Sequence, residues 1–255
     1  MEFEIDFTKN AQQNASAYYE RAKELKKKIE GAQLAIEKLE KSMQEAKHAE
    51  AEKPLKIARQ KKWYEKFHWF FASDGRLAIG GRNVQQNELL NSRYFDDNDL
   101  FFHADVFGAS VVIFKGGKAA SRQAKEEVAE FAACYSSAWK DQHNAADVYC
   151  LERNNVGKST NSGYVAAGSF VMKGEREWFR GAVLKLVAFM KEGIINVVPE
   201  LTFERIHESA KNVLIEIGDE KKSDAAKKIA AYFETNELDE LLQQLPAGSF
   251  HITLR

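Results

Sequence analysis

The first sixty residues carry apolar or small side chains in alternating steps of four and three. This spacing is the heptad pattern of a coiled-coil seam and predicts a helical arm over residues 1–62. Pro54 is expected to open a second short helix, since proline is tolerated in a first turn. The arm either packs on its own return segment or holds a coiled-coil partner, such as a second copy in a homodimer. The seam residues are Tyr18, Ala22, Leu25, Ile29, Ala32, Ile36, Leu39, Met43 and Ala46.

From residue 63 the pattern changes to strand-like alternation. In WYEKFHWFFAS, successive side chains alternate between the two faces of a strand, and Asp74–Gly75 predicts the hairpin turn that follows. Asn83 is then the predicted N-cap of a helix, with Gln86 completing a capping-box-like pair. A long helix is predicted from about Ser121 to Gln142, and its apolar face is expected to pack on the sheet.

The last part of the chain reads as a smaller addition. The segments AVLKLVAFM, NVLIEIG and FHITL predict strands. Ser223 is the expected N-cap of one helix, and Asn236 that of a second helix that ends near Leu245. The predicted fold class is therefore α+β. It comprises a mixed or antiparallel sheet domain with a long packing helix over 63–180, the helical arm over 1–62, and a small C-terminal α/β subdomain over 181–255.

Composition narrows the function classes. Hydrophobic residues make up 44% and charged residues 29%, which predicts a soluble globular protein. The net charge is −1, so affinity for nucleic acid has to come from local patches. No segment predicts a signal peptide or a transmembrane helix. Cys134 and Cys150 fit no metal or redox spacing, so we expect a cytoplasmic protein without metal or cofactor.

One short stretch, FFHADVFGAS, combines groups that can carry chemistry. His103 and Asp105 lie on the same face of a strand, where a carboxylate can orient an imidazole. Neither a nucleophile with its own base nor a third metal ligand accompanies them. We therefore favour a structural hydrogen bond at the strand end, beside a functional surface, over catalysis.

Cations near the middle of the chain raise the question of RNA. Gly80–Gly81 before a helix start is a natural anion site that Arg82 would strengthen, although such glycines also serve simple tight turns. Further basic residues suit RNA phosphates, and an ordinary solvated surface explains them equally well. These residues are Arg153, Lys158, Lys173, Arg176 and Arg180.

Several long segments of the sequence, which follow one another in the same order as in the family, resemble the R domain of the NFACT family. They are KWYEKFHWFFASDGRLAIGGRNVQQNE, FFHADVFGAS, SSAW and GYVAAGSFVMKGEREWF. The family includes the eukaryotic nuclear export mediator factor, archaeal relatives and bacterial proteins once labelled fibronectin-binding. The resemblance covers roughly Tyr18 to Trp178, including a stretch similar to the family's coiled-coil arm. The segment KKSDAAKKIAAYF resembles the extension of archaeal members.

The resemblance implies a role in ribosome-associated quality control. Family members bind a large ribosomal subunit obstructed by peptidyl-tRNA, and recruit charged tRNA so that a template-free tail is added. Peptide-bond formation stays with the ribosome, so the protein is not expected to be an enzyme. The family's N-terminal domain and helix-hairpin-helix have no counterpart in this sequence, so this part is expected to bind without tailing. The alternative is a non-enzymatic protein-interaction scaffold that acts through the coiled-coil arm.

The resemblance also suggests which residues meet the large subunit and tRNA. The signature corner His103, Asp105 and Gly108 is expected to shape a ligand-facing surface. The sequence departs from the family pattern at Arg82-Asn83-Val84 and at Gly157, which precedes Lys158. The residues assigned to nucleic-acid binding are Arg82, Gln85, Gln86, Asn87, Lys115, Lys158, Lys173 and Arg176.

Overall fold

The computed structural model describes residues 4–51, 60–160, 163–206 and 211–255. The short helix predicted at Pro54 lies outside these residues. By its internal contacts the chain divides into two compact units, Met1–Gln60 and Lys61–Arg255.

The first unit contains one long helix, α1, Ala11–Ala51. A reciprocal capping box starts it: the Asn10 side chain accepts a hydrogen bond from the Gln13 backbone N–H (2.9 Å), and the Gln13 side chain accepts one from Asn10 (3.0 Å). The seam residues Leu25, Ile29 and Ile36 are each more than half exposed. The predicted helix is thus present, and its coiled-coil partner stays a prediction.

The second unit is built from antiparallel sheets and six described helices. The helices are α2 Val84–Arg93, α3 Arg122–Cys134, α4 Ser137–Lys140, α5 Glu200–Ile206, α6 Lys222–Tyr232 and α7 Leu238–Gln244. The described strands are β1 His68–Phe71, β2 Leu77–Gly80, β3 Leu100–Ala104, β4 Val112–Phe114, β5 Ala145–Glu152, β6 Val156–Gly157, β7 Ser159–Thr160, β8 Gly163–Tyr164, β9 Val171–Met172, β10 Glu177–Val183, β11 Leu186–Lys191, β12 Ile194–Pro199, β13 Asn212–Lys221 and β14 Ser249–Leu254.

A six-stranded sheet with strand order β1-β2-β4-β3-β5-β10 forms the centre of this unit. A four-stranded sheet has the order β12-β11-β13-β14, and β6 with β9 and β7 with β8 form two short ribbons. Every described strand pair is antiparallel. The predicted α+β class is confirmed.

The strands of the six-stranded sheet carry apolar side chains on both faces of the sheet, so a hydrophobic core forms on each face. On one face, Phe102 and Phe131 belong to a core that continues into the four-stranded sheet and α6. On the other face, Phe101 and Leu151 pack with Leu90 of α2 in a separate core. Helix α3 packs against β3, β5 and β10, and β10 forms the edge of the sheet at this end.

Several predicted element boundaries need correction. The helix expected over Ser121 to Gln142 is two helices, α3 and α4, because Ser136 interrupts it. The Ser136 hydroxyl donates to the Ala133 carbonyl (2.7 Å) and accepts from the Ala138 N–H (3.2 Å), which ends one helix and caps the next. Ser223 is not an N-cap, because α6 already begins at Lys222.

Three other local predictions can be compared directly. Asn83 caps α2 as predicted: its side-chain oxygen accepts from the Gln86 N–H at 2.9 Å. Gly75 has φ +83° in the predicted hairpin turn between β1 and β2, a conformation that favours glycine. Asn236 does not cap α7, which begins at Leu238 after Glu237.

Candidate nucleic-acid interface

The start of α2 is held to the sheet by close packing and hydrogen bonds. The Gly81 N–H donates to the Val111 carbonyl (3.0 Å), and the Val111 N–H donates to the Asn87 side chain (3.3 Å). A Cβ atom at Gly81 would lie 2.0 Å from the Asn87 side-chain oxygen, so only glycine fits. Gly81 therefore serves close approach of the helix, and Asn87 is a structural partner of the segment before β4.

Arg82 points into the protein. Its guanidinium donates to the backbone carbonyls of Phe67 (2.8 Å) and Glu65 (3.2 Å) and to the side chain of Gln243 (2.9 Å). Burial lowers the pKa of this guanidinium. The Arg82 backbone N–H is taken by the Gln86 side chain (3.0 Å), so this N–H does not face an anion.

Lys158 fastens a loop to α2. Its ammonium donates to Glu88 (2.6 Å) and to the carbonyls of Ser169 (2.7 Å) and Ala166 (3.2 Å). Glu88 also accepts from the Gly168 N–H at 2.6 Å. Partial burial raises the pKa of Glu88, but the hydrogen bonds from Lys158 and Gly168 outweigh it, and the pKa is lowered overall. We refer to Arg82, Gln86, Asn87, Glu88 and Lys158 as the junction network.

Lys115 is also engaged internally. Its ammonium donates to Asp96 (2.6 Å), to the Tyr94 carbonyl (3.0 Å) and to the buried Asp99. Burial opposes the charge, yet hydrogen bonds with the two carboxylates raise the pKa of Lys115 overall. Among the eight residues assigned to nucleic-acid binding, Gln85, Lys173 and Arg176 are exposed. Contact with RNA through the eight stays a prediction.

The stretch FFHADVFGAS forms an ordered corner at the end of β3. The Asp105 N–H donates to the Asp147 carbonyl (2.7 Å), and the Ser137 hydroxyl donates to the Phe107 carbonyl (2.7 Å). Gly108 has φ +79°, in the region that favours glycine. The side chain of Phe107 at this corner is fully exposed.

His103 is half-buried beneath this corner. Its Nδ1 lies 3.5 Å from the Tyr149 hydroxyl, and its ring also bonds with the backbone of Ala104 and Ala109. Burial lowers the pKa of His103, while the backbone contacts and Asp105 offset part of this effect. The lowered pKa favours the neutral imidazole. The corner is thus in contact with neighbouring backbone, and its role as a ligand-facing surface stays a prediction.

A β-bulge in the edge strand β10 places Arg180 at the same corner. The pairing of β10 with β5 shifts between Phe179 and Ala182, and Gly181 has φ +63°. The Asp147 carboxylate accepts from the Gly181 N–H (2.9 Å) and from the Arg180 guanidinium (2.5 Å), and these bonds lower the pKa of Asp147. Bulges commonly re-aim side chains at functional edges.

The guanidinium groups of β10 and the segment before it lie against aromatic rings. Arg180 lies 3.9 Å from the centroid of the Trp178 ring. Arg176 lies 4.4 Å from the Tyr149 ring and 5.8 Å from Trp178. Arg176 is exposed and forms no hydrogen bond or ion pair with any described residue. We refer to His103, Asp105, Phe107, Arg176, Trp178 and Arg180 as the corner surface.

This arrangement can bind an anion and an aromatic ligand together. A guanidinium stacked on a ring directs its N–H edge away from the ring, where it can bind phosphate. The edge of Arg176 meets no described acceptor, whereas Arg180 already donates to Asp147 and would share that carboxylate's bond with a phosphate. The sequence analysis did not single out Phe107 or Trp178, and it named Arg180 only among the basic residues that suit RNA phosphates. One signal was available, because Arg176, Trp178 and Arg180 follow one another with the period of two that places side chains on one strand face.

Metal binding and thiol chemistry find no support in the described residues. Among them, no group of three or more His, Cys, Asp or Glu side chains is placed to hold a metal ion. No described helix is both long and apolar enough to cross a membrane. Cys134 and Cys150 are buried, and burial raises the pKa of both thiols, that of Cys150 to about 12.

The fold and this corner define an α+β domain with a cationic and aromatic edge. The model of the NFACT protein RNA binding domain matches residues 66–174. The chain belongs to the NFACT family. Arg176, Trp178 and Arg180 lie just beyond the matched residues, on and beside the strand that pairs with β5 within them.

Curated relatives agree with this assignment. The archaeal Rqc2 homolog aRqcH of Methanocaldococcus jannaschii is 34% identical over 205 residues, which are 77% of this chain and 30% of the relative. The human ribosome quality control complex subunit NEMF is 33% identical over 181 residues, 68% of this chain and 17% of the relative. The chain thus spans less than a third of either relative.

Among solved structures, the C-terminal part of the fibronectin/fibrinogen-binding protein from Streptococcus suis aligns with 71% of this chain and 78% of that chain. The sequence identity is 22% and the TM-score 0.40, a likeness on which no conclusion rests.

Proposed function

We propose that this chain is the RNA- and ribosome-binding portion of an NFACT-type ribosome quality-control factor. In this role it engages RNA of obstructed large ribosomal subunits and tRNA in the cytoplasm, in support of template-free tailing of stalled chains. It catalyses no reaction itself. The family's RNA-binding domain and the names of the relatives support the role. The observation that carries it is the pair of stacked, exposed guanidinium groups, Arg176 and Arg180, on and just before the edge strand β10.

Several described cations lie over aromatic rings, Lys158 over Phe170 among them, so stacking alone does not distinguish this pair. The distinguishing feature is that Arg176 combines the stacking with an N–H edge that has no described partner. An Arg held flat on a ring loses less conformational freedom when it meets a phosphate. Arg176 has no carboxylate among the described residues to compete with the ligand. Arg180 has one, Asp147, and Lys158 has one, Glu88, while Lys115 has two. Since the net charge of the chain is −1, affinity depends on such local groups.

A charge-reversal experiment tests this proposal. Co-sedimentation with purified large ribosomal subunits and binding of tRNA are measured from about 50 to 200 mM salt. For the double variant Arg176→Glu/Arg180→Glu we expect affinity to fall about tenfold or more, with a salt slope smaller by roughly 1.5 to 2 because two phosphate contacts are lost.

The matched control is Arg93→Glu/Lys227→Glu, which makes the same change of charge at two exposed positions outside the corner surface. We expect it to change affinity only slightly. Equal losses in the two double variants would show that net charge alone matters, and the corner surface would then not be the binding site.

A second candidate function rests on α1. Its seam residues Leu25, Ile29 and Ile36 are exposed in the described part of the first unit, which favours a protein-interaction scaffold that acts through the arm. A sedimentation mass of twice the chain mass, lost in Leu25→Asp/Ile36→Asp, together with RNA binding that is insensitive to salt, would favour this function instead.

A further inference from the structure

Phe107 stands out among the exposed apolar side chains because its backbone is fixed. Its relative exposure is 100%. The Ser137 hydroxyl holds its carbonyl at 2.7 Å, and Gly108, in the left-handed region at φ +79°, sets the turn that follows. Before Phe107, the Asp105 N–H donates to the Asp147 carbonyl, and after it, Ala109 is buried. Both contacts hold the loop against the rest of the unit. The ring is thus presented to solvent on an ordered loop.

The surroundings of Phe107 are polar rather than apolar. The neighbouring Asp105 and Gly108 are exposed, and the rest of the corner surface presents the charged groups of Arg176 and Arg180. A protein-docking site normally has a contiguous apolar patch, which this corner does not form among the described residues. An exposed aromatic ring on a surface that also carries guanidinium groups is instead typical of a platform for nucleic-acid bases.

The ring and the arginines belong to one surface. Phe107 follows Asp105 by two residues, so their Cα atoms are at most about 7.6 Å apart. Asp105 bonds to the backbone of Asp147, and the Asp147 carboxylate binds Arg180. The exposed Asp105 carboxylate repels phosphates, so the RNA backbone is expected to pass on the side of β10.

We propose that Phe107 stacks on an unpaired base whose neighbouring phosphates are held by Arg176 and Arg180. The corner surface therefore binds single-stranded or looped-out RNA in preference to a paired stem. This inference rests on the proposed RNA-binding function and deepens it. In a duplex the bases remain stacked on one another and only the shallow minor groove and backbone are accessible, so a protruding ring finds a stacking partner only where a base is unpaired.

The test compares an unpaired RNA oligonucleotide with a blunt duplex of the same length by fluorescence anisotropy at low salt. Phe107→Ala is expected to weaken binding of the unpaired oligonucleotide about tenfold, since stacking on an aromatic side chain typically contributes that much per base. Binding of the duplex should stay unchanged. Phe107→Trp should restore the affinity, because it keeps a ring at the same position.

The control is Tyr164→Ala, which removes another highly exposed aromatic side chain (88%) at the β7–β8 ribbon and should leave both affinities unchanged. Thermal melting checks that each variant is folded, and the full exposure of Phe107 predicts no change in melting temperature.

Three outcomes would overturn the inference. If Phe107→Ala binds the unpaired RNA as well as the parent does, while Arg176→Glu/Arg180→Glu binds it poorly, the stacking is wrong and the proposed RNA binding stands. Equal losses on unpaired and duplex RNA would show that Phe107 does not select unpaired bases. A loss confined to whole ribosomal subunits, with naked RNA unaffected, would identify a protein contact. Absence of RNA binding by the parent chain would overturn the proposed function itself.

Discussion

The junction network and the corner surface both contain cations that the sequence suggests for RNA binding, but Arg176 of the corner surface differs from the cations of the junction network in having no hydrogen-bonding partner among the described residues. In the junction network, Arg82 and Lys158 spend their donors on backbone carbonyls and on Gln243 or Glu88. In the corner surface, Arg176 lies on the Tyr149 ring with its N–H edge free of described partners. Arg82 and Arg176 are the same type of residue, and they differ in whether hydrogen-bond acceptors of the protein lie within reach of the guanidinium.

Mutations in the two regions are expected to have different effects, on stability in the junction network and on ligand binding at the corner surface. Removing a buried donor leaves carbonyls without partners, which costs stability. Removing an exposed, stacked guanidinium leaves little unsatisfied, so its loss is felt mainly by a ligand.

Arg82→Met should lower the free energy of unfolding by about 2 to 4 kcal/mol, because the carbonyls of Phe67 and Glu65 lose their buried donor. Urea unfolding followed by tryptophan fluorescence measures this. The control Arg93→Met, at an exposed position on α2, should cost less than about 0.5 kcal/mol. A folded Arg82→Met variant of parental stability that no longer binds RNA would break the comparison, because Arg82 would then contact the ligand.

His68, buried beside Arg82, should make stability depend on pH. Burial, with the charges of Arg82 and Lys222, lowers the pKa of His68 well below its ordinary 6.5. Below pH 6.5 the unfolded chain therefore binds a proton that the folded chain does not, so stability falls as pH falls, with a slope of up to about 1.4 kcal/mol per pH unit. The free energy of unfolding of the parent and of His68→Phe is measured from about pH 7.5 to 5, and the variant should lack this fall.

Glu130 acts in the opposite direction. Burial raises the pKa of its carboxyl from 4.5 to about 7, so between these values the folded chain holds a proton that the unfolded chain lacks, and stability rises as pH falls. The difference between the parent and His68→Phe cancels the contribution of Glu130. Parallel pH profiles for the two proteins would show that His68 titrates normally and that the region around Arg82 is open to water.

Lys158→Met should cost about 1 kcal/mol, because its ammonium links Glu88 to the loop carbonyls of Ala166 and Ser169 in a partly exposed setting. A double-mutant cycle with Glu88→Gln isolates the pair, and we expect a coupling of similar size. The control Lys173→Met, at an exposed position, should leave stability unchanged. If Lys158→Met lowers RNA affinity more than Lys173→Met does, then Lys158 contacts RNA in addition to its structural role.

Much of the local structure follows from short patterns in the chain. The N-cap at Asn83 and the turn at Asp74–Gly75 were predictable because each depends on residues within a few positions. The break between α3 and α4 was missed, although Ser136 carries a local signal for it, because the apolar period continues through Ala138. The contact of His103 with nearby backbone was also predictable, since its partners Ala104 and Ala109 are close in sequence.

The α+β class, the long N-terminal helix and, through the segments shared with NFACT proteins, the family could all be predicted from the sequence. Which cations have internal partners could not: Arg82, Lys158 and Arg180 have them, and Arg176 has none among the described residues. The reason is that the deciding acceptors are distant in sequence: Glu88 is 70 residues from Lys158, and Gln243 is 161 residues from Arg82. The bulge that turns Arg180 onto Trp178 likewise depends on Asp147 of the neighbouring strand, a pairing that strand periodicity alone does not specify.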